Sequence, residues 1–236
     1  MRETIHALAH RYHGEWEAMT EALRRGEKPP AIPGDEQFVT WADPHYPARL
    51  RQLRFPPWIL FYRGNLSLAS CPSVGIVGSR KAVARGLQAT EQVCLRLREK
   101  VVVSGLAAGI DGCAHRSALR SGGRTIGIAG CGLKRPYPLS NRDLYEPQSC
   151  RQLILSEYPG FTAPLRHHFP WRNRLIAALS DCVLVMQATC RSGTMLTVNE
   201  ALELGKPVYC LPYPDQDPAG AGCNLLLCEG ALPLKM

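Results

Sequence analysis

The sequence predicts an α/β fold built on a doubly wound parallel sheet, and three observations carry that prediction. From residue 73 onward, short apolar runs rich in β-branched residues recur along the chain. Amphipathic, helix-like stretches separate most of them. Glycine-containing turns stand where a run gives way to a helix. Strands that are apolar throughout must be buried on both faces, and helices in the connections are what cover them.

Taken in order, the chain opens with Ile5, Leu8, Tyr12, Trp16, Met19 and Leu23 at helical spacing, which predicts one amphipathic helix over residues 3–25. Gly26 and the stretch from Lys28-Pro29-Pro30 to Pro33-Gly34 end it as a linker. The chain therefore divides into a helix and linker, residues 1–34, and a main domain, residues 35–236. Residues 37–70 read as a compact lead-in with a short helical piece and a strand over Trp58–Tyr62. Strands are expected at 73–77, 101–103, 124–129, 153–156, 182–186 and 207–211. Helices are expected at 83–98, 111–120, 170–180 and 194–204. Right-handed crossovers wind these units into a Rossmann-like sheet, whose ligands bind outside the carboxyl ends of the strands.

Two loops stand at such ends. The first strand is followed by Gly78-Ser79-Arg80-Lys81, and the second by Ser104-Gly105, Leu106, Ala107, Ala108 and Gly109-Ile110-Asp111. Glycines let backbone N–H groups approach an anion, helix N-termini add partial positive charge, and Arg80 and Lys81 add full charges. The two loops together predict one phosphate-sized pocket. Neither matches the P-loop pattern, and the dinucleotide G-x-G-x-x-G is missing, so neither ATP hydrolysis nor a nicotinamide or flavin cofactor is expected.

Farther on, His167-His168-Phe169-Pro170-Trp171-Arg172-Asn173-Arg174 enters a helix, with Pro170 suited to its first turn. Arginines at the positive end of a helix make sense where an anion docks. Phe169 or Trp171 either stacks a base or packs in the core. The histidine pair has no third ligand nearby in sequence, which favours a solvent-facing position over a metal site. Arg191-Ser192-Gly193-Thr194 is a further helix start that receives an anion or simply caps its helix.

Composition narrows the partner. The 236 residues carry a formal net charge of +8. Residues 71–180 alone hold 16 basic and 6 acidic groups, and arginines outnumber lysines 22 to 6, which suits bidentate contact with phosphate. The ten cysteines lack zinc-finger spacing and read as reduced thiols. No apolar run reaches the length of a membrane span and no signal peptide opens the chain, so a cytoplasmic protein is expected.

At these residues the sequence resembles the DprA/Smf family. The likeness runs from about Asp43 to Leu232, through the lead-in Tyr46–Asn65, GIVGSRKA (Gly75–Ala82), SGLAAGID with Ala114-His115, and Tyr137–Asn141. It continues through SEYP (Ser156–Pro159), FPWRNRLIAALS (Phe169–Ser180), SGTMLT (Ser192–Thr197) and Gly205–Ala231. The resemblance implies an extended Rossmann fold, a homodimer, and sequence-independent binding of single-stranded DNA. It also implies protection of incoming DNA and loading of the RecA recombinase in natural transformation, without catalysis, cofactor or metal. It maps the DNA site onto Gly78, Ser79, Arg80, Lys81, Ser104, Gly105, Gly109, Arg172, Asn173 and Arg174. It further implies that the C-terminal winged-helix domain of some members is absent and the N-terminal helical domain reduced to about one helix. Gln187 and Pro212-Tyr213 stand where a Glu and a Pro-Gly pair are usual, which leaves the 187–194 loop outside the mapped contacts.

The alternative reading is a nucleotide N-glycosidase of the lysine-decarboxylase-like (LOG) family, because Ser192-Gly193-Thr194 is similar to part of its anion loop. The first carboxylate after that loop, Glu200, comes nearly a helical turn too late for its catalytic position.

Overall fold

The computed structural model describes all residues, 1–236, as one nine-stranded sheet with helices packed against it. The strands are β1 (Phe38–Thr40), β2 (Ile59–Gly64), β3 (Ser73–Gly78), β4 (Val101–Gly105), β5 (Arg124–Ile128), β6 (Gln152–Ser156), β7 (Cys182–Gln187), β8 (Val208–Cys210) and β9 (Leu232–Pro233). Their order is β1-β2-β6-β5-β4-β3-β7-β8-β9, parallel from β6 to β9. The pairs β1–β2 and β2–β6 are antiparallel, so the lead-in extends the parallel sheet along one edge. The anticipated α/β sheet is therefore present, and all seven expected strands form. The runs β1 and β9 were not anticipated, being only three and two residues long.

The central strands are buried on both sides because their side chains are apolar in both directions. Val101, Val102 and Val103 are each at most 1% exposed, as are Ile76, Ile126 and Ile128. Helices α3 (Ala84–Arg96), α4 (Ile110–Arg120), α5 (His168–Leu179), α6 (Thr194–Glu203) and α7 (Ala221–Cys228) supply the cover. Small residues let two of them approach: Ala89 and Val93 of α3 pack in one cluster with Ala114 and Ala118 of α4.

The chain runs from β3 out through β4, β5 and β6, then returns across the sheet to β7 beside β3. The strand order reverses between β3 and β7. In doubly wound sheets that reversal opens a crevice at the carboxyl ends of the two strands.

The N-terminal segment corrects one expectation. Residues 3–25 are not one helix but two, α1 (Arg2–Arg11) and α2 (Trp16–Arg24). His13 and Gly14 lie between them at φ +53° and +79°, in the left-handed region that ends a helix. The apolar spacing in the sequence is continuous because both helices turn their apolar faces to one core. Ile5, Leu8, Met19 and Ala22 share a cluster with Ile59 and Phe61 of β2 and with Leu144 and Tyr145. Two indole N–H groups tie the hairpin down: Trp16 donates to the Pro56 carbonyl at 2.8 Å, and Trp58 donates to the Thr20 hydroxyl at 2.8 Å. No helix is long and apolar enough to cross a membrane.

Candidate functional site

A cleft of about 750 Å³ opens where the strand order reverses. Its walls are the loop after β3 (Gly78–Lys81), the loop and helix start after β7 (Gln187 to Thr197), and the first turns of α5. Of the residues the sequence singled out, Gly78, Ser79, Arg80, Lys81, Phe169, Arg172 and Asn173 line it, together with Ser192, Gly193 and Thr194.

Arg80 and Lys81 are exposed on the rim. Neither takes part in any of the chain's ion pairs. The Arg80 guanidinium instead lies 5.3 Å from the centre of the Phe169 ring, a cation–π placement. Two cations without internal counter-ions at the mouth of a cleft leave a local positive potential for an external anion.

The floor is built differently. Arg172 is 4% exposed and donates through Nη1 to the Ile128 carbonyl at 3.0 Å, while its Nε has no partner. Asp111, on the first turn of α4, lines the same floor. Burial pushes its carboxyl up to about 7, against the pull of the Arg172 charge and the Ala107 amide. Burial likewise lowers the Arg172 guanidinium, and Asp111 opposes that shift. The cleft is thus cationic at its rim and nearly balanced at its base.

The loop after β4 shapes this floor and lines it only through Ala107. Ser104 is fully buried, and its hydroxyl donates to the Ile76 carbonyl at 2.5 Å. A side chain on Gly105 would place its Cβ 1.7 Å from Arg172 Nη1, so the guanidinium occupies the space this glycine vacates. Gly109 has φ +74°, and a Cβ there would fall 2.2 Å from the Ser79 carbonyl, to which the Ile110 N–H donates at 3.2 Å. These glycines let the two loops close on each other. That differs from the expected direct approach to phosphate: Ser104 and Gly105 are buried, and the half-buried Gly109 does not line the cleft.

Arg174 and Trp171 are not brought into the cleft. The Arg174 fork is taken by the Glu157 carboxylate at 2.6 and 2.7 Å, with side chains 4% and 5% exposed, and it also donates to the Phe55 carbonyl. Trp171 packs against that guanidinium at 4.0 Å and against Phe55. Arg172 and Arg174 were expected as partners in one pocket, but residues two apart on a helix point to different sides.

The histidine pair is corrected in part: His167 is exposed, as expected, but its neighbour is not. His168 is 1% exposed and stacks on Tyr158 at 3.8 Å, with Nδ1 facing the Gly130 carbonyl at 3.2 Å. Glu15, remote in sequence, reaches both His167 and His168.

Two contributors lay outside the mapped contacts. Gln187, at the end of β7, accepts from the Val83 N–H at 2.9 Å through Oε1 and so holds the rim loop. A polar residue closing an otherwise apolar strand was its signal in the sequence. Ser192 Oγ is buried without a hydrogen-bond partner at the edge of the cleft. Glu200 does not line the cleft, and Asp111 is the only carboxylate that does.

The profile of the family described as DNA recombination-mediator protein A matches residues 37–236. A DNA processing protein DprA of Streptococcus pneumoniae is 43% identical over 190 residues, covering 80% of this chain and 67% of the relative. Protein Smf of Synechocystis is 44% identical over 201 residues, covering 83% and 50%. The chain thus spans from half to two thirds of the length of these relatives. The crystal structure of the pneumococcal DNA processing protein A superposes with a TM-score of 0.81 at 36% identity, covering 92% of this chain and 78% of that one. DNA processing protein A of Helicobacter pylori, described for its single-stranded DNA binding mode, superposes with a TM-score of 0.74 at 33% identity, covering 84% and 90%.

Proposed function

The chain belongs to the DprA/Smf family of DNA recombination-mediator proteins, and from that premise we propose that it binds single-stranded DNA in the cleft between β3 and β7. The observation that carries this reading is the pair of rim cations, Arg80 and Lys81, with no carboxylate partner inside the protein. They receive backbone phosphates, the N-terminus of α6 adds partial charge, and Phe169 offers a ring on which a base stacks. Arg172 supplies positive charge from below, Asn173 a polar contact. Ser104, Gly105, Gly109 and Arg174 act through the scaffold that aims these groups.

Binding without chemical turnover is the proposed mode of action. The N-glycosidase alternative needs a carboxylate just after its anion loop, and the first one here, Glu200, does not line the cleft. Strand protection, loading of the RecA recombinase and homodimerisation complete the proposal and rest on the family. Leu225 and Leu232, exposed near the β9 edge of the sheet, support a self-contact there.

The test is a salt-dependent titration of the protein with single- and double-stranded oligonucleotides of varied composition. Tight single-strand binding that ignores base sequence and weakens with salt is expected. Preference for duplex, or release of free base from a nucleoside monophosphate, would overturn the reading.

A further inference from the structure

A second cleft, of about 680 Å³, lies between the N-terminal hairpin and the segment Pro159–Leu165, and it shares no lining residue with the first. Histidines gather here: His6, His10, His13 and His168 line it, along with Glu15 and Glu36. We propose that His6, His10 and Glu36 form a binding site for one divalent transition-metal ion of the zinc class.

Histidines at i and i+4 stand one above the other on a helix face, and His6 and His10 hold that relation on α1. One donor atom from each of His6, His10 and Glu36 lies within 4.8 Å of the other two. The His10 Nε2 to Glu36 Oε2 distance is 3.0 Å. A tetrahedral ion with metal–donor bonds of about 2.0–2.1 Å spaces its donors about 3.3 Å apart, so a small inward shift of His10 and Glu36 toward His6 completes the set.

His6 itself is the second, independent sign of a ligand. It is 4% exposed, yet neither ring nitrogen has a hydrogen-bond partner. A buried imidazole in that condition has lost its water without compensation. Its ring is held in place by stacking on Phe38 at 4.2 Å with 3° between planes, which fixes the direction of its lone pair. A metal ion accepts that lone pair directly.

The surroundings fit the ion as well. The other oxygen of Glu36, Oε1, accepts from the Gly160 N–H at 3.0 Å. Orienting hydrogen bonds of this kind characteristically hold a ligating carboxylate. Lys134, the cation nearest in the cleft lining, is engaged by Asp35 at 3.2 Å. Two imidazoles and one carboxylate suit zinc, nickel, copper or iron and leave a coordination position for water. The metal would staple helix α1 to Glu36, just past the linker, and, through Gly160, to the loop after β6.

Cobalt(II) is the probe, because its visible spectrum reports ligand type and the chain also carries free thiols. The full chain should bind about one equivalent with the d–d bands of nitrogen and oxygen ligation and without a thiolate charge-transfer band. Zinc should raise its melting temperature. His6→Phe keeps the stacked ring and removes the donors, while Glu36→Gln alters a partly exposed ligand. Each should weaken cobalt binding at least about tenfold with the far-ultraviolet circular dichroism unchanged. Glu15→Gln, at the neighbouring histidine pair, should leave it unaltered. The assignment is overturned if the wild type binds no cobalt at micromolar concentration or if the spectrum shows thiolate ligation. It is equally overturned if Glu36→Gln binds as tightly as wild type, or if Glu15→Gln is the variant that loses the ion.

Discussion

Replacing Arg80 with Ala and Arg174 with Met separates charge at the cleft from charge in the scaffold. Arg80 is exposed and unpaired, so its removal deletes one cation from the rim and little else. For a single strand, the logarithm of the binding constant falls with the logarithm of salt by about 0.7 per phosphate neutralised. Losing one contact flattens the slope by about that amount. Across a fourfold rise in salt, from about 50 to about 200 mM, wild type should lose about 2.6 times more affinity than Arg80→Ala. Stability should move by no more than about 0.5 kcal/mol. Arg174→Met is the converse. It strands the Glu157 carboxylate, 5% exposed, in the interior, at a cost of about 3–5 kcal/mol. The fraction that remains folded should keep the wild-type salt slope. Fluorescence anisotropy with a labelled oligonucleotide over a salt series, paired with denaturant unfolding, reads both quantities. The assignment of the rim fails if folded Arg80→Ala retains both affinity and slope, or if Arg174→Met flattens the slope.

Asp111 should make binding depend on pH. Its folded pKa, about 7, lies above the unfolded value near 4, so this group's contribution to stability is full below about pH 4 and is lost as pH rises to about 7. In wild type, DNA affinity should be several-fold higher at pH 6 than at pH 8, because protonation removes a negative charge from the floor; Asp111→Asn should abolish that difference in the same anisotropy assay. Gly105→Ala should cost about 1–3 kcal/mol by driving the Arg172 guanidinium off the floor, and Gly105→Ala combined with Arg172→Ala should recover part of it in denaturant melts. Phe169→Ala should lower affinity by about 1–3 kcal/mol with the salt slope intact. Trp171→Ala, which uncovers the buried Arg174–Glu157 pair, should lower stability instead; the opposite split would exchange the roles of the two rings.

The sheet was legible in the sequence because its signal is local. An apolar run such as Val101-Val102-Val103 can only be buried on both faces, and Gly78, just before Arg80 and Lys81, stands where the strand must turn into the site. Less legible was whatever depends on two distant segments meeting. The periodicity of residues 3–25 is blind to the reversal at His13-Gly14, since both helices face the same core. Arg172 and Arg174 read alike until helix geometry separates them by about 200° of rotation. Glu157, which claims Arg174, and Glu15, which joins His167 and His168, are carboxylates from other parts of the chain. Gly105 announced a close approach correctly, but the group that approaches is the protein's own guanidinium.

The reversal at Gly14 reaches farther than the hairpin. A Cβ at that position would stand 2.6 Å from the Glu157 carbonyl, so the turn rests directly on the segment after β6. Glu157 grips Arg174, and its neighbour Tyr158 carries the His168 ring. Helix α5 therefore has one flank in the cleft between β3 and β7 and the other moored to the N-terminal hairpin. Segments joined in this way form one cooperative unit, in which fraying of the hairpin would loosen the turn that presents Phe169 and Asn173. The shape of the cleft is then set partly at the opposite end of the polypeptide.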